Sequence, residues 1–233
     1  MTLVWSPETA SKAYLDTIKT CGISSKTSAA EFLSAMAAGY NAKLIVEAWN
    51  KHENGDNVSN ISTISTGLAI AAKHTHGRHV CMVPDEASRV EYVSAMQKLS
   101  SDMSLPEVVV VGEDEAEEIT RKLNKPVDFF VVEIDGGRKN FSKGLISSVK
   151  LNQHGAILVC KRNISTTLSW KGVLDAKLSV VRAITLPFEN IGLEIAYISS
   201  SSNNIGNFKS KNNPKRWIRH VDQESGEEHM IRR

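Results

Sequence analysis

Cysteine is scarce in this chain: Cys21, Cys81 and Cys160 are odd in number and lie far apart. Each falls in or beside an apolar run, where reduced, buried thiols are common, so they read as free thiols in a reducing compartment. Long apolar stretches are missing too. No segment approaches about 18 uninterrupted apolar residues, and the opening MTLVWSPETASKAYL has no basic stretch leading into an apolar one. The expectation is a protein neither secreted nor membrane-spanning, cytoplasmic, with a basic tail that admits nuclear entry. Common catalytic signatures are absent as well. There is no Gly-x-Ser-x-Gly elbow and no Walker-type loop, which disfavours the common hydrolases and P-loop nucleotide enzymes. His74, His76 and His79 straddle Gly77 without partnered cysteines at zinc spacing, so they read as surface histidines at a helix-to-strand turn.

What is present is ordinary in bulk. The 233 residues are 41% hydrophobic and 23% charged, near globular averages, and the length suits one sizeable core. No internal repeat is visible. The net charge of +2 is unevenly spread, because residues 200–233 hold seven basic and four acidic groups, leaving −1 for the body. A near-neutral body with a basic end differs from a dedicated nucleic-acid-binding domain, whose positive groups would line a face. We therefore divide the chain into an α/β domain, 1–199, and a flexible basic tail, 200–233.

Hydrophobic periodicity places the elements. Ser6-Pro7-Glu8 starts a helix that reaches about Thr20, and Ser28-Ala29-Ala30-Glu31 fits a capping box for a second. Leu44-Ile45-Val46 suits a buried parallel strand ending at Glu47. Helices and strands then alternate, which favours βαβ units. A helix runs through Ser62 to His74, followed by a strand at His79–Val83. The next helix, Asp85–Leu99, turns Val90, Val93, Met96 and Leu99 inward. Further strands are read at Glu107–Val111, Phe129–Val132 and Ala156–Cys160, with a helix from about Lys139 to Lys150 before the last. Period-two alternation at 178–186 and 193–197 predicts a closing antiparallel hairpin.

Several segments carry a family resemblance. Val80-Cys81-Met82-Val83-Pro84-Asp85, Val109-Val110-Val111-Gly112-Glu113, Val127-Asp128-Phe129-Phe130-Val131-Val132, His154-Gly155-Ala156-Ile157-Leu158-Val159 and Leu186-Pro187-Phe188-Glu189-Asn190-Ile191-Gly192-Leu193 resemble the second to fifth strands and late hairpin of class I S-adenosylmethionine-dependent methyltransferases, particularly small-molecule O-methyltransferases. The likeness covers roughly residues 7–199. Trp5-Ser6-Pro7-Glu8 and Ser28-Ala29-Ala30-Glu31-Phe32-Leu33 are more closely similar to a plant family of uncharacterised methyltransferase-like proteins. The resemblance implies a Rossmann-like, mostly parallel seven-stranded sheet with an antiparallel C-terminal hairpin. It also implies S-adenosylmethionine as cofactor, held by Glu47, Ser65, Thr66, Gly67, Asp85 and Glu113, with Asp135 and Arg138 as candidates for the chemistry.

The sequence departs from that pattern at four places. Glycines after the first strand let backbone approach a ligand closely, yet Glu47 is followed by Ala48-Trp49-Asn50-Lys51-His52-Glu53, with one glycine at position 55. Val83 replaces the ribose-binding acid. Arg138 stands where metal-dependent relatives carry a general-base lysine, and it cannot release its proton near neutral pH. Lys161-Arg162 replaces an Asp-Asn metal pair, and two cations disfavour Mg²⁺, so no metal is expected. Glu47 contacts a ligand amine or caps a backbone loop; Asp135-Gly136-Gly137-Arg138 is a substrate loop or a simple turn.

The leading expectation is a methyltransferase-like protein with a degenerate donor site, a non-catalytic binding or regulatory module for a small molecule or a protein. One alternative is a divergent, metal-independent methyltransferase acting on a small molecule by positioning. A second is attachment of RNA or another anionic partner through residues 208–219, where five cations accompany Phe208 and Trp217; a solvated tail is favoured over it. Oligomeric state is left open.

Overall fold

The computed structural model describes residues 5–21, 28–50, 58–99, 105–112, 116–133, 139–163, 178–188, 191–200, 217–221 and 228–232. The chain divides into two units, Met1–Ser201 and Ser202–Arg233.

The first unit is a seven-stranded sheet between helical layers. Its strands are β1 (Leu44–Ala48), β2 (Arg78–Val83), β3 (Glu107–Val110), β4 (Phe129–Glu133), β5 (Ala156–Asn163), β6 (Leu178–Phe188) and β7 (Ile191–Ser200). They lie in the order β3-β2-β1-β4-β5-β7-β6. The first five are mutually parallel, while β7 is antiparallel to both β5 and β6. This is the Rossmann-like α/β architecture expected from the sequence, with the hairpin closing one edge. Strand order reverses at β1 and β4, so the crevice where such sheets take ligands lies beyond the carboxyl ends of those two strands.

Among the described residues six helices flank the sheet: α1 (Pro7–Cys21), α2 (Ser28–Gly39), α3 (Val58–Thr75), α4 (Glu86–Leu99), α5 (Ala116–Leu123) and α6 (Lys139–Ser148). Because side chains alternate across a strand, even-numbered Leu44, Val46, Val80, Met82, Phe130 and Leu158 join one core with Ile119, Leu123, Phe141 and Leu145 of α5 and α6. Odd-numbered Ile45, Phe129, Val131 and Ile157 join the opposite core with Leu33 of α2 and Leu68 of α3. The continuous apolar strands of the sequence are thus explained by burial on both faces.

Helix ends follow local chemistry. Asn41, His76 and Asn124 take left-handed φ angles of 53°, 51° and 55° just after α2, α3 and α5, the conformation that terminates helices. After α2, the Ala42 amide reaches back to the Ala37 carbonyl at 3.0 Å; after α3, the Gly77 amide reaches Ala72 at 2.9 Å. Asp128 ties down the amino end of the sheet. Its carboxylate accepts from the Lys43 and Leu44 amides at 2.9 and 3.1 Å and from Asn152 Nδ2 at 2.7 Å.

Two readings of the first unit need correction. Val90 is 63% exposed, not inward; Ser88, Tyr92 and Met96 fill that face instead. The i, i+4, i+8 stripe of α4 therefore runs through a serine and a tyrosine, which a search for aliphatic residues overlooks. His79 is buried rather than on the surface. It pairs in register with Ile45 and so points into the α3 side of the sheet.

The second unit contains β8 (Trp217–Val221) and β9 (Glu228–Arg232), paired antiparallel with Trp217 opposite Arg232. The reading of 200–233 as a flexible tail did not anticipate this ribbon.

Candidate functional site

At the carboxyl end of β1, the side chain of Glu47 points to the α3 and α4 side of the sheet, beside Cys81 in register on β2. Glu47 is 4% exposed. Ser65 Oγ of α3 donates to its Oε1 at 2.5 Å, and His79 Nε2 lies 3.5 Å from its Oε2. That second contact is too long for a hydrogen bond of good geometry, and neither ring nitrogen of His79 has a hydrogen-bond partner among the described residues. Burial alone would raise the pKa of Glu47; interactions with His79, Ser65 and Tyr92 outweigh it and hold the carboxyl below its ordinary range. The ionised form is favoured inside the fold.

The same enclosure acts oppositely on the neighbouring acids. Burial first, then the Glu47 charge, pushes the Cys81 thiol well up; burial, Cys81 and Glu47 do the same to the Tyr92 phenol. Both stay neutral near pH 7, and Cys81 is no nucleophile in this state.

Trp49 stands in the segment where small residues would be needed. The parallel ladder continues through it, its amide donating to the Met82 carbonyl at 2.9 Å. Its indole is buried with Cys81, Val83, Tyr92 and Met96, and meets Tyr92 edge-on with ring centroids 5.7 Å apart. Asn50 is buried as well. Trp49 Nε1, Asn50 Nδ2 and the Tyr92 hydroxyl form no hydrogen bond of standard geometry. Each such orphaned group costs about 1–3 kcal/mol unless an acceptor or water meets it.

The remaining sequence candidates separate. Thr66 is buried on α3. At Gly67 a Cβ would stand 2.6 Å from the Ala30 carbonyl oxygen, so the absence of a side chain lets α2 pack closely on α3. Asp85 caps α4: its Oδ1 accepts from the Ser88 amide at 2.7 Å. Val83, at the expected ribose-acid position, is wholly buried. Glu113, Asp135 and Arg138 lie outside the described residues. Hence Glu47 and Ser65 are brought together, whereas Gly67 and Asp85 hold helices.

Lys161 and Arg162 are engaged inside the fold. Lys161 Nζ is 3.5 Å from Glu133 Oε2, its register partner on β4, and Arg162 Nε donates to Glu194 Oε2 of β7 at 3.1 Å. Among the described residues no group of three or more His, Cys, Asp and Glu is placed to hold a metal ion. No described helix is long and apolar enough to cross a membrane.

The sequence reading named Glu47 and Ser65, which the fold brings together, and did not count their neighbours His79, Trp49 and Tyr92 among the candidates. The signal for His79 was its place within a strand covered on both faces; for Tyr92, its spacing of four from Ser88 and Met96.

Solved structures similar to this chain include methyltransferases. The Bacillus cereus O-methyltransferase in complex with SAH is 14% identical, with 85% of this chain and 93% of that one covered and a TM-score of 0.46. SAH-bound PaMTH1 of Podospora anserina is 13% identical, covers 84% and 89%, and has a TM-score of 0.47. TrmN of Thermus thermophilus is 14% identical over 73% of this chain, with a TM-score of 0.47, and the chain spans only 48% of its length. No curated protein sequence matches the chain. A family model covers residues 1–233, and the chain belongs to that family, described as protein of unknown function (DUF1442).

Proposed function

We propose that this methyltransferase-like protein does not hold a methyl donor in the ancestral way and acts as a non-catalytic binding or regulatory module. The observation that carries the reading is the burial of the Trp49 indole against Tyr92 directly beyond β1, where close backbone approach to a ligand would be needed. Three further features support it. Glu47 is taken up by Ser65 and His79; Val83 offers no acceptor to a ribose hydroxyl; Asp85 is occupied with the α4 amide of Ser88. Losing one charge-assisted contact to a ribose would remove about 1.5–3 kcal/mol, or one to two decades of affinity. S-adenosylmethionine therefore does not fit this residue set. The orphaned donors of Trp49 and Asn50 suit a ligand or peptide bearing acceptor oxygens.

Calorimetry of the full chain with S-adenosylmethionine and S-adenosylhomocysteine tests the reading. Silence at millimolar ligand is expected. Micromolar binding that Glu47→Ala abolishes would establish the divergent enzyme instead.

A further inference from the structure

A second concavity lies at the opposite, amino-terminal end of the parallel strands. It is a cavity of about 330 Å³ between the last turns of α3 and the lead into β3, lined among others by Ala69, Ala72, Lys73, His76, His79 and Pro106. At roughly 30 Å³ per water, the volume suits a small metabolite-sized group. Lys73 brings a positive charge to its wall beside the imidazoles of His76 and His79, and no carboxylate is among the described residues lining it.

Two observations point to a ligand. His79, with 3% of its side chain exposed, is both a wall of this cavity and the neighbour of Glu47. A protonated imidazole donates from both nitrogens, a neutral one from a single nitrogen. Nε2 faces Glu47, whereas Nδ1 is buried and meets no acceptor among the described residues. Buried polar groups are rarely left in that condition without an external partner. The negative end of α3, which would repel an anion, is already answered from within. Lys43 Nζ donates to the Thr75 carbonyl at 2.5 Å, the Gly77 amide to Ala72, and the His76 amide to Lys73 at 3.3 Å.

We infer that this cavity is a binding site for a small oxyanion, a carboxylate or phosphate group, held by His79 Nδ1–H and Lys73 and steadied by His76. The cavity lies at the opposite end of the strands from the crevice beyond β1 and shares His79 with the Glu47 pair, but it does not depend on the donor reading above. An oxyanion there gives Nδ1–H an acceptor, while Nε2 stays 3.5 Å from Glu47 Oε2.

The test follows the side-chain resonances of His79 in the full chain by NMR, with inorganic phosphate and, separately, succinate as probes, at ionic strength held constant with chloride. A saturable shift of His79 with a millimolar or lower Kd for either probe is expected; the stronger of the two identifies the preferred group. Lys73→Ala, a change at an exposed position, should weaken binding about tenfold, and His79→Gln should abolish it. If neither probe gives a saturable shift, or if Lys73→Ala leaves the affinity unchanged, the proposal is overturned. The lysine variant keeps the test decisive should His79→Gln fail to fold.

Discussion

Replacing Glu47 by glutamine removes one charge while conserving volume. In the native protein the carboxylate is 4% exposed, accepts from Ser65 at 2.5 Å, and attracts His79 from 3.5 Å. An amide oxygen still accepts from Ser65, but it loses most of the attraction to His79. Its NH₂ group also adds two donors beside a Tyr92 hydroxyl that already has no hydrogen bond. A hydrogen bond to a charged group contributes roughly 1.5–3 kcal/mol, so Glu47→Gln should cost about 1–3 kcal/mol near pH 7. The pH dependence then separates charge from shape. Glu47 is held below its ordinary value of about 4.3, so on acidification the unfolded chain takes up this proton before the folded one. The stability it supplies is complete above that ordinary value and drains away as pH falls through the lowered folded one. Urea unfolding at fixed m, stepped from neutral pH into this acid range, should therefore show wild type and variant converging. Equal stability near neutral pH, or a gap that stays constant down to the acid limit, would refute the assignment of an ionised, internally paired Glu47.

Two other perturbations address sequence candidates assigned here to scaffolding. Gly67→Ala should lose about 1–3 kcal/mol in a urea melt, since a Cβ 2.6 Å from the Ala30 carbonyl forces α2 and α3 apart and outweighs the gain of up to about 1 kcal/mol in helix propensity. A variant as stable as wild type would show that the helices approach less closely. Asp85→Ala should lose about 0.5–2 kcal/mol by uncapping the Ser88 amide, read as a lower midpoint in the same melt; no change would mean that the carboxylate is not the cap.

The fold was legible where burial imposes continuous patterns. Runs such as Phe129–Val132 and Ala156–Cys160 admit little besides strands covered on both faces, and the alternation around 178–186 and 193–197 announced the antiparallel pair. The site was legible only in part. Glu47 declared itself as an acid at a strand end and Ser65 was named with it, but which neighbours answer the charge depends on register. His79 reaches Glu47 because β1 and β2 align Ile45 with His79, a pairing between segments 34 positions apart that no local pattern encodes. Gly67 and Asp85 are ambiguous for a related reason: small and acidic residues serve helix packing and capping as readily as ligands. Trp49 showed that the expected glycines were missing, but its burial against Tyr92 required the position of α4.

The most direct measurement concerns the Trp49 indole itself. The chain has four tryptophans, and a Trp49→Phe variant assigns its Nε1–H resonance. With S-adenosylhomocysteine added to millimolar concentration, the account predicts that this signal stays where it is in the free protein. A saturable shift with micromolar midpoint, reporting nucleoside seated against the indole, would contradict it.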